Sequence, residues 1–201
     1  MSEPIEVFTE DGLPSGRVKP RDLVHRDGDW HLAAFVWVFD RAGRLLLQRR
    51  SPDKDVWPGL WDASAAGHVT AAERASLAAV RELEEELGVE VPESALIPLA
   101  PRRQAHAHPN GLVDREHHAA FVVSLDLPLE AYRPGPEVTA IGLVGADELV
   151  SLARGEIERA RLTRREVREV EPRVSSLGIG ELVPYDRGFF EAVVAEARGR
   201  R

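Results

Sequence analysis

The sequence predicts an α/β domain, a mixed sheet with helices packed on it. Three observations carry this. Residues 32–39 form a continuous apolar run rich in Val, Phe and Trp, which suits a buried central strand. Residues 71–87 contain no Gly or Pro and place apolar side chains at helical spacing. Strand-like and helix-like stretches then alternate through residues 117–153. With 201 residues the chain can bury one sizeable core. The expected layout is a single domain over 1–201, with a core at about 28–153 and a C-terminal extension 154–201 that ends in a helix.

Residues 1–20 mix Glu, Gly and Pro with the β-formers Ile5, Val7 and Phe8, so one short strand or hairpin is expected there. Asp40–Gly43 is a turn, and Arg44–Arg50 is the partner of the central strand, making 31–50 a hairpin. Ser51–Leu60 is a loop punctuated by Pro52, Pro58 and Gly59, and Trp61–Val69 is extended. The main helix is expected to begin just after Thr70. Glu73, three residues on, completes a capping box, and Gly88 supplies a left-handed stop. Leu77, Val80, Leu83 and Leu87 share one face; Glu82, Glu85 and Glu86 share the opposite one.

Val89–Leu99 contains another strand, and Pro101–Asn110 reads as polar and irregular. His117–Leu127 and Val138–Val144 read as strands, separated by a proline-rich loop at 128–136. Ala146–Ala153 is a short helix starting near Gly145. Residues 154–173, rich in Arg and Glu, are either a solvated helix or a mobile loop. Pro184-Tyr185-Asp186 opens a final helix that buries Phe189, Phe190, Val193 and Val194.

Composition narrows the function. No apolar run approaches the roughly 18 residues of a membrane span, and the N-terminus lacks the basic start and apolar stretch of a secretory signal. A cytoplasmic, membrane-free protein is the expectation. The net charge of −8 disfavours nucleic acid and anionic membrane as partners. There is no Cys, hence no disulfide, thiolate ligand or cysteine nucleophile. Lys occurs only at Lys19 and Lys54 among the 26 basic residues.

The three glutamates of the helix are the chemical signal. Like charges at i, i+4 cost a bare helix about 0.2–0.5 kcal/mol. A solvated face carries that cost readily, and so does a face neutralised by a cation; oxygen-only donors suit Mg²⁺ or Mn²⁺. The wider spacing adds to this. Gly67, five residues, Glu73, seven residues, then Arg81-Glu82-Leu83-x-Glu85-Glu86-x-Gly88-Val89 resembles the box of the Nudix hydrolases, with every specified position filled. The resemblance implies an α/β/α sandwich with a mixed sheet and the box as a loop–helix–loop. It implies that Glu82, Glu85 and Glu86 hold divalent metal, that Gly67 offers its backbone carbonyl, and that Arg81 bridges to Glu73 and orients the carboxylates.

The segments VHRDGDWHLAAFVWVFD, LLLQRRSPDKDVWPGLWD and AAGHV are similar to the Nudix branch that includes isopentenyl-diphosphate isomerase, with a weaker echo at Val183–Asp186. The isomerase's cysteine position is Ala66 here, so that acid–base route is missing. The isomerase's separate metal site would fall on His25, His31, His68 and Glu116, with Asp114 beside them, although the step from His25 to His31 is one residue shorter. Zn²⁺ or Mn²⁺ would suit that set; loop histidines bonded to backbone are the ordinary alternative. His106, His108, His117 and His118 are expected as surface or core residues.

Glu116 has a second possible task, as the additional metal-binding or basic glutamate that Nudix hydrolases draw from outside the box, with Glu137 as the alternative. Arg50 and Lys54 match positions that grip diphosphate in the isomerase; a solvated turn is their other reading. Trp57 and Trp61 either frame a pocket or close a small core. The resulting expectation is metal-assisted hydrolysis of a phosphoanhydride in a small-molecule diphosphate linked to another group, with a nucleoside di- or triphosphate foremost and Mg²⁺ or Mn²⁺ as cofactor. Glu82 or Glu116 would accept the water's proton. An isomerase using other residues and a non-catalytic diphosphate-binding module are the rivals. A homodimer is a family-level expectation.

Overall fold

The computed structural model describes residues 2–186 and 188–199. Strands β1 (Pro4–Phe8) and β2 (Pro14–Pro20) form an antiparallel hairpin. Helix α1 (Arg21–Asp27), absent from the sequence reading, follows and ends at Gly28 with φ 65°. Strand β3 (Trp30–Phe39) is the hub of the sheet. One edge of it runs parallel to β9 (Val113–Ser124), from Trp30↔Arg115 to Phe39↔Ser124.

The other edge of β3 is shared. It takes β1 at its start, β6 (Ala65–His68) in its middle and β4 (Arg44–Arg50) at Phe39↔Leu45. The expected 31–50 hairpin therefore splays just past its turn. Strand β4 leaves to pair with β5 (Trp61–Asp62) and β10 (Val138–Gly145). Ser64 spans the opening: its Oγ accepts the Val38 N–H at 2.7 Å and donates to the Leu46 carbonyl at 2.6 Å. Alternation along a strand reports which face is buried, not which neighbour takes each edge.

Two polar stretches are strands. Strand β8 (Arg102–Ala107), with β7 (Ile97–Pro98), pairs antiparallel with β9, so residues 101–110 are not irregular. It is a rim strand, which is why it reads as polar. Residues 154–173 are neither helix nor loose loop: β11 (Arg159–Glu166) pairs with β10, and β12 (Arg173–Gly178) with β11. Buried Ala160 and Leu162 alternate with exposed Arg159 and Arg161, a period of two that the charges mask.

The sheet separates two cores. Phe35, Trp37 and Phe39 face α3 (Ala146–Arg154) and α4 (Phe189–Gly199), whose Phe189, Phe190, Val193 and Val194 are buried as expected. Ala34, Val36 and Val38 face α2 (Ala75–Leu87). Each large side chain so buried contributes about 1.5–3 kcal/mol. The architecture is the expected α/β/α sandwich on a mixed sheet. Among the described residues, no helix is long and apolar enough to cross a membrane.

Helix α2 differs from its sequence reading in two ways. It begins at Ala75, not after Thr70, because Thr70 bridges to Ile5 of β1 and Ala72 takes a left-handed φ of 67°. The Glu73 carboxylate does accept from the Thr70 N–H at 3.0 Å, but it closes a loop before the helix. The buried face is also rotated. Leu77 is 42% exposed, whereas Ala78, Ala79, Leu83 and Leu87 are fully buried. That rotation carries Glu82 and Glu86 inward and leaves Glu85 exposed.

Candidate active site

A cavity of about 690 Å³ opens where α2, β6, β9 and the loop 51–60 meet. Helix α2 presents Glu82, Glu85 and Glu86 to it. Glu86 is 3% exposed, and its Oε2 accepts from the Ala66 N–H at 2.8 Å and from Gln48 Nε2 at 2.7 Å. Burial, with the charge of Glu82, pushes its carboxyl up to about 8. Burial likewise raises Glu82 to about 7 against the pull of Arg81. The ledge thus combines oxygen donors, the donor chemistry of a hard divalent ion, with burial that disfavours their charge. Among the described residues, however, the three carboxylates do not converge into a close ligand group as the histidines do.

Arg81 is the clamp of this ledge. Its Nε and Nη2 donate to the two Glu73 oxygens, each at 3.1 Å. Its Nη1 donates to Glu82 Oε1 at 2.6 Å and to Glu85 Oε2 at 3.3 Å, and Nη2 also reaches the His68 carbonyl at 2.9 Å. Gly67 lies directly under Glu82: a Cβ there would stand 2.1 Å from Glu82 Oε1. Only a residue without a side chain lets the carboxylate cross β6 at this point.

A second cluster adjoins the first. His25 of α1, His31 of β3 and His68 of β6 gather with ring centroids 5.0–5.1 Å apart. Their ligand atoms lie within 4.8 Å of one another, as do those of His31, Asp114 and Glu116. His31 donates Nδ1–H to the Asp29 carbonyl at 3.1 Å, which aims Nε2 at the cluster. Burial opposes a charge on this ring, but Glu116 and Asp114 outweigh it and raise the ring's affinity for a proton, so a metal ion would have to displace that proton from Nε2. His31 is fully buried, and its Nε2 has no hydrogen-bond partner; neither has Asp114 Oδ1, 3.6 Å away. Such orphaned donor atoms fit a bound transition-metal ion. Burial, then the neighbouring His31, lowers His25 to about 4 and His68 well below its ordinary value, so both rings are neutral. Burial, then Glu116, raises Asp114 to about 7. Burial alone would raise Glu116 as well, but the His118 hydrogen bond at 3.1 Å and the charge of His31 hold it low.

The remaining expected residues line the same cavity. Arg50 is tied through Nη1 to Asp62 Oδ2 at 2.9 Å and through Nε to the Val56 carbonyl at 3.1 Å. Lys54 forms an ion pair with Glu137. Glu116 joins the histidines; among the described residues it forms no such close group with the box glutamates. Trp61 is core, while Trp57 lines the cavity. His106 and His118, expected as surface or core, line it too.

Sequence reasoning missed Gln48, Asp62 and Tyr185. Gln48 shares the Arg50 face of β4 by alternation, a usable signal. Asp62 accepts from Ala63 N–H and from the Tyr185 hydroxyl, a partnership between residues too far apart in the chain for any local pattern to reveal.

The comparisons agree with this geometry. The NUDIX domain model matches residues 29–165. Nudix hydrolase 3 of Arabidopsis thaliana is 42% identical over 151 residues, covering 73% of this chain. The match spans only 20% of that longer protein. An uncharacterized Nudix hydrolase of Clostridium acetobutylicum is 33% identical over 159 residues, 77% of this chain and 75% of that one. The isopentenyl-diphosphate Δ-isomerase of Klebsiella pneumoniae is 38% identical over 125 residues, 61% of this chain and 67% of that one. Among solved structures, a Deinococcus radiodurans protein has a TM-score of 0.59 at 23% identity, covering 76% of this chain and 90% of its own.

Fold and intact box agree with a family that acts on pyrophosphate-containing compounds. The chain belongs to the NUDIX domain family and is a Nudix hydrolase.

Proposed function

We propose that this chain hydrolyses a phosphoanhydride bond in a diphosphate linked to another group, foremost a nucleoside di- or triphosphate, with Mg²⁺ or Mn²⁺. The observation that carries the proposal is the pair of buried, charge-starved carboxylates, Glu82 and Glu86, facing a cavity of substrate size. Glu82, Glu85, Glu86 and the Gly67 carbonyl would hold the cation. When bound, a divalent cation supplies Lewis acidity and charge neutralisation at the phosphates.

The chain's own groups do the rest. Arg81 fixes Glu82 through Oε1, leaving Oε2 to accept the attacking water's proton. Arg50 and Lys54 bind phosphate oxygens, Lys54 by exchanging its partner Glu137. The cluster of His25, His31, His68, Asp114 and Glu116 would hold a second ion, Zn²⁺ or Mn²⁺. Residues 1–201 would act as one cytoplasmic domain, a reading supported for its unity by the continuation of the sheet into β11 and β12.

The full histidine cluster and the isomerase relatives favour a second reading, double-bond isomerisation, against which stands Ala66 and the absence of any thiol. A screen with Mg²⁺ and Mn²⁺ against nucleoside di- and triphosphates, nucleotide sugars, dinucleotides and isopentenyl diphosphate separates them. Released phosphate or nucleotide supports the hydrolase. A shifted double bond without release supports the isomerase and ends the hydrolase proposal.

A further inference from the structure

We infer that Trp57 and His106 form a stacking subsite for a heteroaromatic ring carried by the diphosphate. The inference deepens the proposed hydrolase reading and relies on it for where the phosphates sit. Trp57 holds a φ of 50°, a left-handed conformation that bulky side chains rarely adopt, and it stands directly before Pro58-Gly59. The strain sits where the side chain forms cavity wall. The indole meets the His106 ring edge-on at 5.2 Å and 89°, and the His108 ring at 4.7 Å and 69°. Asn110 Nδ2 donates to the Asp55 carbonyl at 3.0 Å, tying the loop of His108 to the loop of Trp57.

The same loop carries Lys54, and Arg50 Nε holds the Val56 carbonyl. Phosphate-facing cations and indole are therefore neighbours on one short segment. A cavity of about 690 Å³ leaves room beyond a diphosphate for a ring system.

The chemistry of this wall selects among rings and tails. Besides its aromatic faces, it carries the Gln104 amide, the His106 imidazole and His118. His118 is 2% exposed, and its Nδ1 has no partner. Gln104 Nε2 donates to the Pro184 carbonyl at 2.8 Å and also contacts the His106 ring. An aliphatic tail would gain apolar contact with Phe35 and Val56 but strip water from these polar groups without replacing its hydrogen bonds. A heteroaromatic ring offers a π-face to the indole and edge donors and acceptors to imidazole and amide.

The test is calorimetric titration, with Mg²⁺ present, of adenosine and uridine 5′-(α,β-methylene)diphosphates against methylenediphosphonate. At least one nucleoside analogue is expected to bind about tenfold tighter than methylenediphosphonate. Trp57→Ala is expected to collapse that ratio to within about twofold, while Trp57→Phe keeps most of it. Trp57→Gly removes the same ring but tolerates the positive φ. It should melt higher than Trp57→Ala and lose the ratio equally, which separates the ring from the fold. A flat ratio in the wild type, an equal loss for all three ligands in Trp57→Ala, or a ratio retained in Trp57→Gly would each overturn the subsite. Ring-dependent binding without phosphate release from any diphosphate sinks the hydrolase reading alone; turnover with a flat ratio sinks the subsite alone.

Discussion

The acidic ledge of α2 and the His25–His68 pair beside it share one cavity and treat protons in opposite ways. Glu82 and Glu86 are driven toward the protonated form, so an ion entering there must displace protons. His25 and His68 are driven toward the neutral form and stand ready as ligands. Burial is the leading cause in both regions. The difference is the sign of the charge that burial removes: anionic in a carboxylate, cationic in an imidazolium. The lesson is that burial in one cavity can hold protons on oxygen donors and strip them from neighbouring nitrogen donors.

The sharpest way to break that comparison is Glu86→Gln. The amide is nearly isosteric and neutral, like the carboxyl it replaces. The circular dichroism spectrum should hold while turnover falls by two or more orders of magnitude, about the loss of one key charge-stabilising group. Near-normal turnover removes Glu86 from the site. Next in size, the pair His25→Ala and His68→Ala should weaken Zn²⁺ binding by more than about tenfold, read by titration calorimetry, while Glu86→Gln leaves it intact. Equal weakening by both variants would merge the two regions into one site.

Gly67→Ala tests the junction between them. A methyl group aimed at Glu82 Oε1 should lower stability by about 1–3 kcal/mol and misplace the carboxylate, read by denaturant unfolding and Mg²⁺ affinity. An unchanged variant would show that Glu82 does not rest on β6. The smallest effect is on pH. In metal-free protein the raised pKa values of Glu82 and Glu86 mean that the native state holds protons the unfolded chain has released. Their contribution is fully present below the unfolded value of 4.5 and is lost as pH rises through about 7 and 8. The depressed histidines act oppositely: His25 adds stability as pH rises from about 4 to 6.5, and His68, held well below its ordinary value, adds stability in the same direction up to 6.5. Above 6.5 the glutamates act unopposed by these histidines. The melting temperature should therefore fall between about pH 6.5 and 8, less so in Glu86→Gln, and Mg²⁺ should flatten the fall. A rise over that window contradicts the burial of these carboxylates.

Much of the site was legible along the chain, and the limits of that reading have identifiable causes. The spacing from Gly67 to Val89 located the ledge because a helix converts spacing into a shared face. It misjudged which face is buried: Leu77 is out and Glu82 and Glu86 are in, since small Ala78 and Ala79 let α2 lie close on the sheet. Strand β8 was hidden because a rim strand presents polar faces to water or cavity, and β11 because its exposed arginines mask the buried Ala160 and Leu162. Glu116 had two readings along the chain, with the histidines or with the box, and its parallel register opposite His31 delivers it to the histidines.

From the sequence alone came the α/β character, the box helix with its stop at Gly88, the buried strand at 32–39 and the residues able to carry the chemistry. These follow from local periodicity and steric rules, which act within a few residues. The tertiary structure alone decided the splaying of β3 from β4, the parallel register that sets His31 opposite Glu116, and the depth at which each carboxylate sits. Those depend on which strand edges meet and what covers them, and a proton's affinity for a side chain is set by that surrounding medium rather than by its neighbours in the chain.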